Sequence, residues 1–407
     1  MSAGCDNNPR YDDDGSPTHT SREQALTEKK CQSLFLQVET PSKLELALST
    51  HVAMLQKGVA GLSAAYQGLD ASRPWLCYWV LNSLDVLRQL APTLAVHGHL
   101  EASFVQYLGT TLWHPHGGFQ GGPAQLPHLA PCYAATNALV ALGSEAAYAS
   151  VDRQRLYDFL TSMKTPIGAF RMHDNGEVDI RATYCAVAVA SVFNLLSPEL
   201  AAGVPEYLQR CQTFEGGMGG EPGNEAHGGY TFCGLAAAAI LGRTDVLSLP
   251  RLLHWAAHRQ MSYEGGFQGR TNKLVDSCYS FWCGALFPLL ASLLPSHPCA
   301  PLFLSSALER YLLVCAQDSL LGGFRDKPGA RVDFYHTCYS LNGLSIAVHA
   351  PGSRDSHGLA QIDPAYGVTL DKLQKAKAHF ATLPLISTTT PGLDPAVYAK
   401  VHVSAHD

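Results

Sequence analysis

With 407 residues, 46% of them hydrophobic and only 15% charged, the chain has the material for a large buried core and is no disordered polymer. Its formal net charge of −6 and pI near 6.3 exclude a general nucleic-acid or polyanion surface, which needs clustered excess Lys and Arg. No uninterrupted apolar run reaches the ~18 residues that suggest a membrane span.

In chain order, MSAGCDNNPRYDDDGSPTHTSREQ comes first, polar and acidic, with no apolar h-region and no acylation motif. It reads as the start of an irregular polar arm over 1–45. The 12 cysteines form no CxxC pair, and most sit in helix-like segments such as TYCAVAVAS. Reduced thiols in a cytoplasmic protein are the expectation. ASRPWLCYWVLNSLDVL (71–87) predicts a first inner helix. A glycine-rich turn followed by an aromatic-led, Ala-rich helix then occurs five times: HGGFQGGP…APCYAATNALVAL, IGAFRMHD…RATYCAVAVASVF, EGGMGGEPGNEAHGGYTFCGLAAAAIL, EGGFQGRTNKLVDSCYSFWCGALF and LGGFRDKPGARVDFYHTCYSLNGLSIA. Measured at the Phe or Met after the glycines, the units start at 119, 170, 218, 267 and 324, a period of 48 to 57.

The segment before each turn, such as LYDFLTSMK or LLHWAAHRQM, mixes apolar with polar residues, as a one-sided outer helix should. The segment after it is apolar nearly all round, as a helix buried on both sides should be. Stacked helix pairs with one apolar member inward predict an all-α fold, an α/α toroid of five to six repeats over 46–385. A polar C-terminal tail is expected over 386–407.

Aligning the inner helices on Tyr133, Tyr184, Tyr230, Tyr279 and Tyr339 puts Ala130, Arg181, His227, Asp276 and His336 three residues ahead of them. Repeat-equivalent positions in a ring share one height, so these groups should meet at one mouth of the central cavity. Helix N-termini there offer unpaired N–H groups and a positive dipole end. Asp276, Cys278 and His336 supply oxygen, sulfur and nitrogen, a mixture zinc accepts, and three ligands leave an open, catalytic position. Each also has a plain reading: Cys278 as core filler, Asp276 and His336 as helix caps. Arg270, Lys273, His227 and Tyr279 beside that mouth suit a phosphate or diphosphate. Asp326, in RDKPG, could hold Mg²⁺ on phosphate oxygens or simply form a turn. Trp75, Trp79, Tyr133, Tyr184, Tyr230 and Trp282 would wall an apolar hole, and an apolar pocket beside a diphosphate site suits an isoprenoid diphosphate.

These residues bring a family into view. From ASRPWLCYW through GGYTFCGL, FQGRTNKLVDSCYSFW and RDKPG…DFYHTCYSLNGLS, the chain resembles the β subunits of protein farnesyltransferases over roughly residues 50–385. The resemblance implies zinc, one per β subunit, on Asp276, Cys278 and His336, and diphosphate held by His227, Arg270, Lys273 and Tyr279. It implies a farnesyl diphosphate site built from His227, Gly228, Gly229 and Tyr230, from Arg270, Thr271, Asn272 and Lys273, and from Tyr279, Ser280, Phe281 and Trp282. Trp75, Trp79, Tyr133, Arg181, Tyr184 and Tyr335 fall on positions lining the isoprenoid or peptide pocket, and Asp326 on a magnesium-linked carboxylate.

The implied activity is transfer of a 15-carbon farnesyl group from its diphosphate to the cysteine thiol of proteins ending in Cys-a-a-X, through a zinc-bound thiolate. A helical-repeat α subunit is the implied partner. The bulk of Trp75 favours the 15-carbon donor, where geranylgeranyl relatives have a smaller residue. Relatives usually read DKPGK; here Ala330 stands in place of that Lys, with Arg331 following. The alternatives are geranylgeranyl transfer by a type I enzyme on the same fold, a terpene cyclase or α/α-toroid glycosidase, and a non-catalytic helical-repeat scaffold. The DDD at 12–14 lies in the arm, outside any inner helix.

Overall fold

Each glycine turn hands an outer helix to an inner one, and the pairs close into a ring. The structure, a computed structural model, describes residues 15–38, 44–294 and 302–386. Helix α1 (His19–Phe35) precedes the first pair, α2 (Leu48–Ala60) and α3 (Arg73–Val86). A short α4 (Leu90–Val96) leads to α5 (Leu100–Gln106) and α6 (Leu129–Leu142). Likewise α7 (Glu145–Ala149) leads to α8 (Arg153–Ser162) and α9 (Ile180–Val192), and α10 (Pro198–Ala201) to α11 (Val204–Cys211) and α12 (Gly228–Ile240). Next come α13 (Leu249–Ala257), α14 (Tyr279–Trp282), α15 (Leu286–Leu293) and α16 (Ser305–Arg310). A two-stranded antiparallel ladder, β1 (Phe324–Arg325) with β2 (Val332–Asp333), precedes α17 (Phe334–Val348), and α18 (Leu370–Ala381) follows.

The inner helices touch in order, α3 to α6 to α9 to α12 to α14 to α17, and α17 returns to α3. This is the closed α/α toroid that the period implied. Its turns depend on glycine for two reasons at once. Gly117, Gly168, Gly216, Gly265 and Gly322 all have φ between +80° and +108°, and a Cβ on any of them would lie 2.0–2.5 Å from a carbonyl oxygen of the next unit. For Gly322 that oxygen belongs to Thr50 in α2, so the last turn seats on the first outer helix and seals the ring. His51 pins the same seam: its Nδ1 accepts from the Gly323 amide at 2.7 Å and its Nε2 lies 2.8 Å from Gln317 Oε1.

One end of the ring has a floor. The hydroxyls of Tyr78, Tyr133 and Tyr184 donate to the carbonyls of Gly367, Tyr366 and Ala365 at 2.6, 2.7 and 2.8 Å. Asn137 and Asn342 add bonds to Tyr366 and Gly367, both 3.0 Å. Three phenols and two amides thus draw one loop across the axis and satisfy its buried carbonyls.

Two expectations need correction. The arm over 1–45 is not irregular throughout, because residues 19–35 form α1. A capping box between Thr18 and Ser21 starts this helix, and Gln24, Thr27 and Cys31 line its buried face. Gln24 donates to the buried Glu264 at 2.7 Å, and Arg310 sits 4.1 Å from the Phe35 ring. A docking face made largely of polar groups leaves little hydrophobic periodicity to read. The fourth inner helix also does not run unbroken from KLVDSCYSFW: it stops at Trp282 and restarts at Leu286. Pro288 has no N–H and its ring crowds the carbonyl four residues back, which ends regular helix there. The C-terminal tail beyond 386, and residues 1–14 with their DDD, lie outside the described residues. Among the described residues no helix is long and apolar enough to cross a membrane.

Candidate metal and anion site

The connector between turn and inner helix has constant length. Counting nine residues from the Phe or Met after each glycine turn lands on His128, Asp179, His227, Asp276 and Asp333. Each of the five accepts a backbone amide on its side chain: His128 from Ala130 at 3.1 Å, Asp179 from Arg181 at 2.8 Å, His227 from Gly229 at 3.1 Å, Asp276 from Cys278 at 2.9 Å and Asp333 from His336 at 2.7 Å; four of them cap their helices, whereas Asp276 stands in a turn and α14 starts three residues on, at Tyr279. The tyrosine-led alignment is therefore wrong in part. Only His227 and Asp276 share the true register; Ala130 and Arg181 lie two residues past it and His336 three. Small antiparallel bridges such as Gln120 with Pro127 and Gln268 with Val275 hold the connector to one length. The leading tyrosines keep no such count: they lie five, five, three, three and six residues past that position.

The triad nevertheless converges. One ligand atom from each of Asp276, Cys278 and His336 lies within 4.8 Å of the other two. His336 Nε2 faces Asp276 Oδ1 at 3.4 Å, and its other nitrogen, Nδ1, meets Asp333 Oδ2 at 2.7 Å. Burial, and after it the Asp276 charge, push the Cys278 thiol far above its ordinary pKa. Burial opposes charge on His336, but Asp276 and Asp333 together bring its pKa up to about 9. Burial likewise works against ionised Asp276, and His336 outweighs it, holding the carboxylate below its usual range. A buried thiol converging with a carboxylate and an imidazole forms a donor set that suits a divalent ion.

The loop of the next repeat seats beside them, the Ser277 amide donating to the Asp326 carbonyl at 2.9 Å. Asp326 pairs with Lys327 through Oδ2, while Oδ1 is buried with no hydrogen-bond partner among the described residues. Burial, then the Asp276 charge, raise its pKa.

A second cluster starts one residue along. The Tyr279 hydroxyl lies 3.0 Å from His227 Nε2, joining the fourth and third inner helices at their N-terminal ends. Arg270 pairs with Glu225 at 2.7 Å, both half exposed. Lys273 is exposed, and among the described residues no carboxylate lies within 4.0 Å of its ammonium. Thr271 and Asn272 sit in the same exposed loop, where the Thr271 hydroxyl accepts from Arg259 at 3.0 Å and Asn272 turns the chain at φ +59°. Gly228 donates its amide to Gly269, and a Cβ on it would strike Cys283 Sγ at 2.5 Å, so it is a packing position. Ser280 and Phe281 are buried, Ser280 bonded to the carbonyls of Ser277 and Tyr339 and Phe281 packed at a tilt 5.0 Å from Phe232. Both serve the helix contacts, not the mouth.

An unbroken chain of aromatic rings lines the interior. Centroids run from Trp75 to Tyr133 at 5.7 Å, Tyr133 to Tyr184 at 5.3 Å, Tyr184 to Phe232 at 5.2 Å, Phe232 to Trp282 at 5.0 Å and Trp282 to Tyr339 at 4.4 Å. Tyr335 accepts from the Trp282 indole at 3.2 Å and packs on Trp79 at 5.5 Å, and Trp79 on Trp75 at 5.8 Å completes the circuit. Arg181 lies over Tyr230 at 5.9 Å and pairs with Asp179 and Glu177. Sequence reasoning did not single out Asp333, Asp179, His128, Phe232 or Glu225. The nine-residue count from each turn would have found the first three, and a count of 14, which gives Tyr133, Tyr184 and Phe281, would have found Phe232; Glu225 carries no such mark.

Comparison with known proteins agrees with this architecture. The family model described as Prenyltransferase alpha-alpha toroid domain matches residues 46–368. Protein farnesyltransferase subunit beta of Pisum sativum is 41% identical, the match covering 76% of this chain and 90% of that protein. Geranylgeranyl transferase type-1 subunit beta of Arabidopsis thaliana is 31% identical over 60% of this chain and 63% of its own. The structure of Candida albicans protein geranylgeranyltransferase-I complexed with GGPP matches with a TM-score of 0.70, covering 83% of this chain and 99% of that one. At 21% identity this likeness shows the fold alone.

Proposed function

The chain belongs to the protein farnesyltransferase β-subunit family, within the prenyltransferase α/α toroids, and we propose that it carries the zinc-dependent site that farnesylates C-terminal cysteines of proteins. The observation that carries the reading is adjacency: Cys278, in the Asp–Cys–His triad, is next in sequence to Tyr279, whose hydroxyl reaches His227. A soft-metal site and an anion site therefore share one helix start.

Asp276, Cys278 and His336 would hold the zinc, and the donor set fits it. When bound, zinc supplies a positive centre with one position free, which lowers the pKa of an arriving thiol from about 8.5. The peptide sulfur attacks C1 of the farnesyl group, the C1–O bond breaks, and the thiol proton goes to solvent. Tyr279, His227, Arg270 and Lys273 donate to the departing diphosphate, where charge accumulates as that bond lengthens. Arg270 must turn from Glu225 to do so. Asp326 Oδ1, buried and without a hydrogen-bond partner among the described residues, would hold Mg²⁺, which would supply positive charge against the diphosphate. The aromatic circuit takes the isoprenoid, the Tyr78, Tyr133 and Tyr184 floor limits its depth, and Trp75, between Trp79 and Tyr133, shortens the space.

An α subunit completes the enzyme in this reading, residues 46–385 form the toroid domain, and the site works in the cytoplasm. The test is co-expression with a farnesyltransferase α subunit, followed by zinc analysis and assay of 15- and 20-carbon donors on a peptide ending in Cys-a-a-X. About one zinc per heterodimer and faster farnesyl transfer are expected. Faster transfer of the 20-carbon group would move the chain to the type I geranylgeranyl class, and a zinc-free active heterodimer would overturn the metal assignment.

A further inference from the structure

Arg259 lies just past the end of α13, is only 5% exposed, and is held on two sides by Trp255. Its Nε donates to the Trp255 carbonyl at 3.3 Å, and its guanidinium carbon sits 4.9 Å from the Trp255 ring centroid. From this seat Nη1 donates to the Thr271 hydroxyl at 3.0 Å. Thr271 belongs to the exposed loop that carries Arg270 and Lys273. The near end of that loop is packed tightly, since a Cβ on Gly269 would stand 2.1 Å from the Tyr279 ring. Its far end has weaker ties: the Lys273 amide donates to Gln268 Oε1 at 3.3 Å, and Arg270 pairs with Glu225 of the preceding repeat.

We propose that Arg259 is a positioning residue of the diphosphate site, acting through Thr271 to hold the loop of Arg270 and Lys273 against Tyr279. This rests on the prenyl-diphosphate reading above. The physical case has two parts. An arginine pinned by Trp255 from two sides is a rigid peg, so an exposed loop tied to it keeps its two cations near their working places before the anion arrives. Less ordering is then lost on binding. The second part concerns the hydroxyl itself. Because it accepts from a guanidinium, its own proton must point elsewhere, and among the described residues no hydrogen bond uses that proton. It is available to a phosphate oxygen. A buried cation is thereby felt at the mouth through one hydroxyl, since a charge-assisted hydrogen bond polarises the next in line.

Thr271→Val keeps the shape and loses the hydroxyl, whereas Thr271→Ser keeps the hydroxyl. In the αβ heterodimer, competition against a fluorescent farnesyl diphosphate analogue should show Thr271→Val binding inorganic diphosphate and farnesyl diphosphate about tenfold more weakly, as loss of a hydrogen bond to an ionised group implies. Farnesol, which lacks the anion, should compete as it does against wild type. Zinc content should not change, and the melting temperature should stay within about 2 °C. Thr271→Ser should restore most of the affinity. Arg259→Lys keeps the charge but not the planar fork, so it should lose a similar factor, and the double variant should lose no more than the weaker single one. Should Arg259→Lys fail to fold, the valine and serine variants decide alone. Wild-type diphosphate affinity in Thr271→Val, an equal loss for farnesol, or additive losses in the double variant would overturn the proposal. A wild-type heterodimer that binds neither diphosphate would remove the reading on which it stands, a distinct result.

Discussion

Gly343 offers a sharp test of how closely the ring must be built. It lies in α17, seven residues beyond His336, or about 10 Å along the axis. A Cβ placed on it would stand 2.1 Å from Ser280 Oγ, 2.3 Å from Ser280 Cβ and 2.6 Å from the Ser280 carbonyl carbon. Real contacts of this kind do not fall below 3.0 Å, so in Gly343→Ala helix α14 must withdraw from α17 by nearly 1 Å. Overpacking of a buried contact costs about 1–3 kcal/mol, and backbone on one side places the cost in the upper part of that range. The displacement also reaches the site, because Ser280 is two residues from Cys278 while His336 sits on the opposing helix. Zinc tolerates about 0.2 Å of error in its ligand distances, so a shift several times larger should weaken binding at least about tenfold.

The assay is chelator competition on the heterodimer, with melting temperature measured alongside. Ser280→Gly removes the two nearest atoms, though it forfeits the hydrogen bonds to Ser277 and Tyr339. In the double variant the losses should be non-additive, with a coupling of about 1 kcal/mol or more and partial recovery of zinc affinity. Wild-type zinc affinity in Gly343→Ala, or strict additivity in the cycle, would refute the claim that the α14–α17 spacing sets the triad.

Three further outcomes are expected. Cys278→Ala should lose zinc and turnover yet bind a fluorescent farnesyl diphosphate analogue nearly as well as wild type; loss of analogue binding with zinc retained would reverse the assignment. Glu225→Gln should free Arg270 and tighten farnesyl diphosphate binding by no more than about fivefold, since an exposed pair is worth at most about 1 kcal/mol. That gain should shrink as salt is raised, and isothermal titration at two ionic strengths would show whether it does. Gly367→Ala forces φ +75° on a residue with a side chain and sets its Cβ 3.0 Å from the Tyr78 hydroxyl and the Phe281 ring. It should cost about 1–2 kcal/mol and lower the melting temperature; an unchanged transition would mean that the floor loop contributes little to stability.

Periodicity alone determined the all-α ring. Glycine turns at a spacing of 48 to 57, with helices apolar all round behind them, leave few other ways to bury that surface. The residue types of the candidate centre were also legible, since Asp, Cys and His near helix starts, with Arg, Lys and Tyr close by, stand out in a chain only 15% charged. Which of them meet was a tertiary matter. His336 joins Asp276 and Cys278 because α17 packs beside α14 as its neighbour in the ring, although it shares no repeat register with Asp276. The shared register of Asp333 and Asp276 was legible in the nine-residue count from each glycine turn, but alignment on the tyrosines hid it. The helical arm and the floor loop escaped sequence reading for a common reason: both are held by hydrogen bonds to partners tens to hundreds of residues away, Gln24 to Glu264 and Tyr78 to Gly367, and such bonds leave no local hydrophobic pattern.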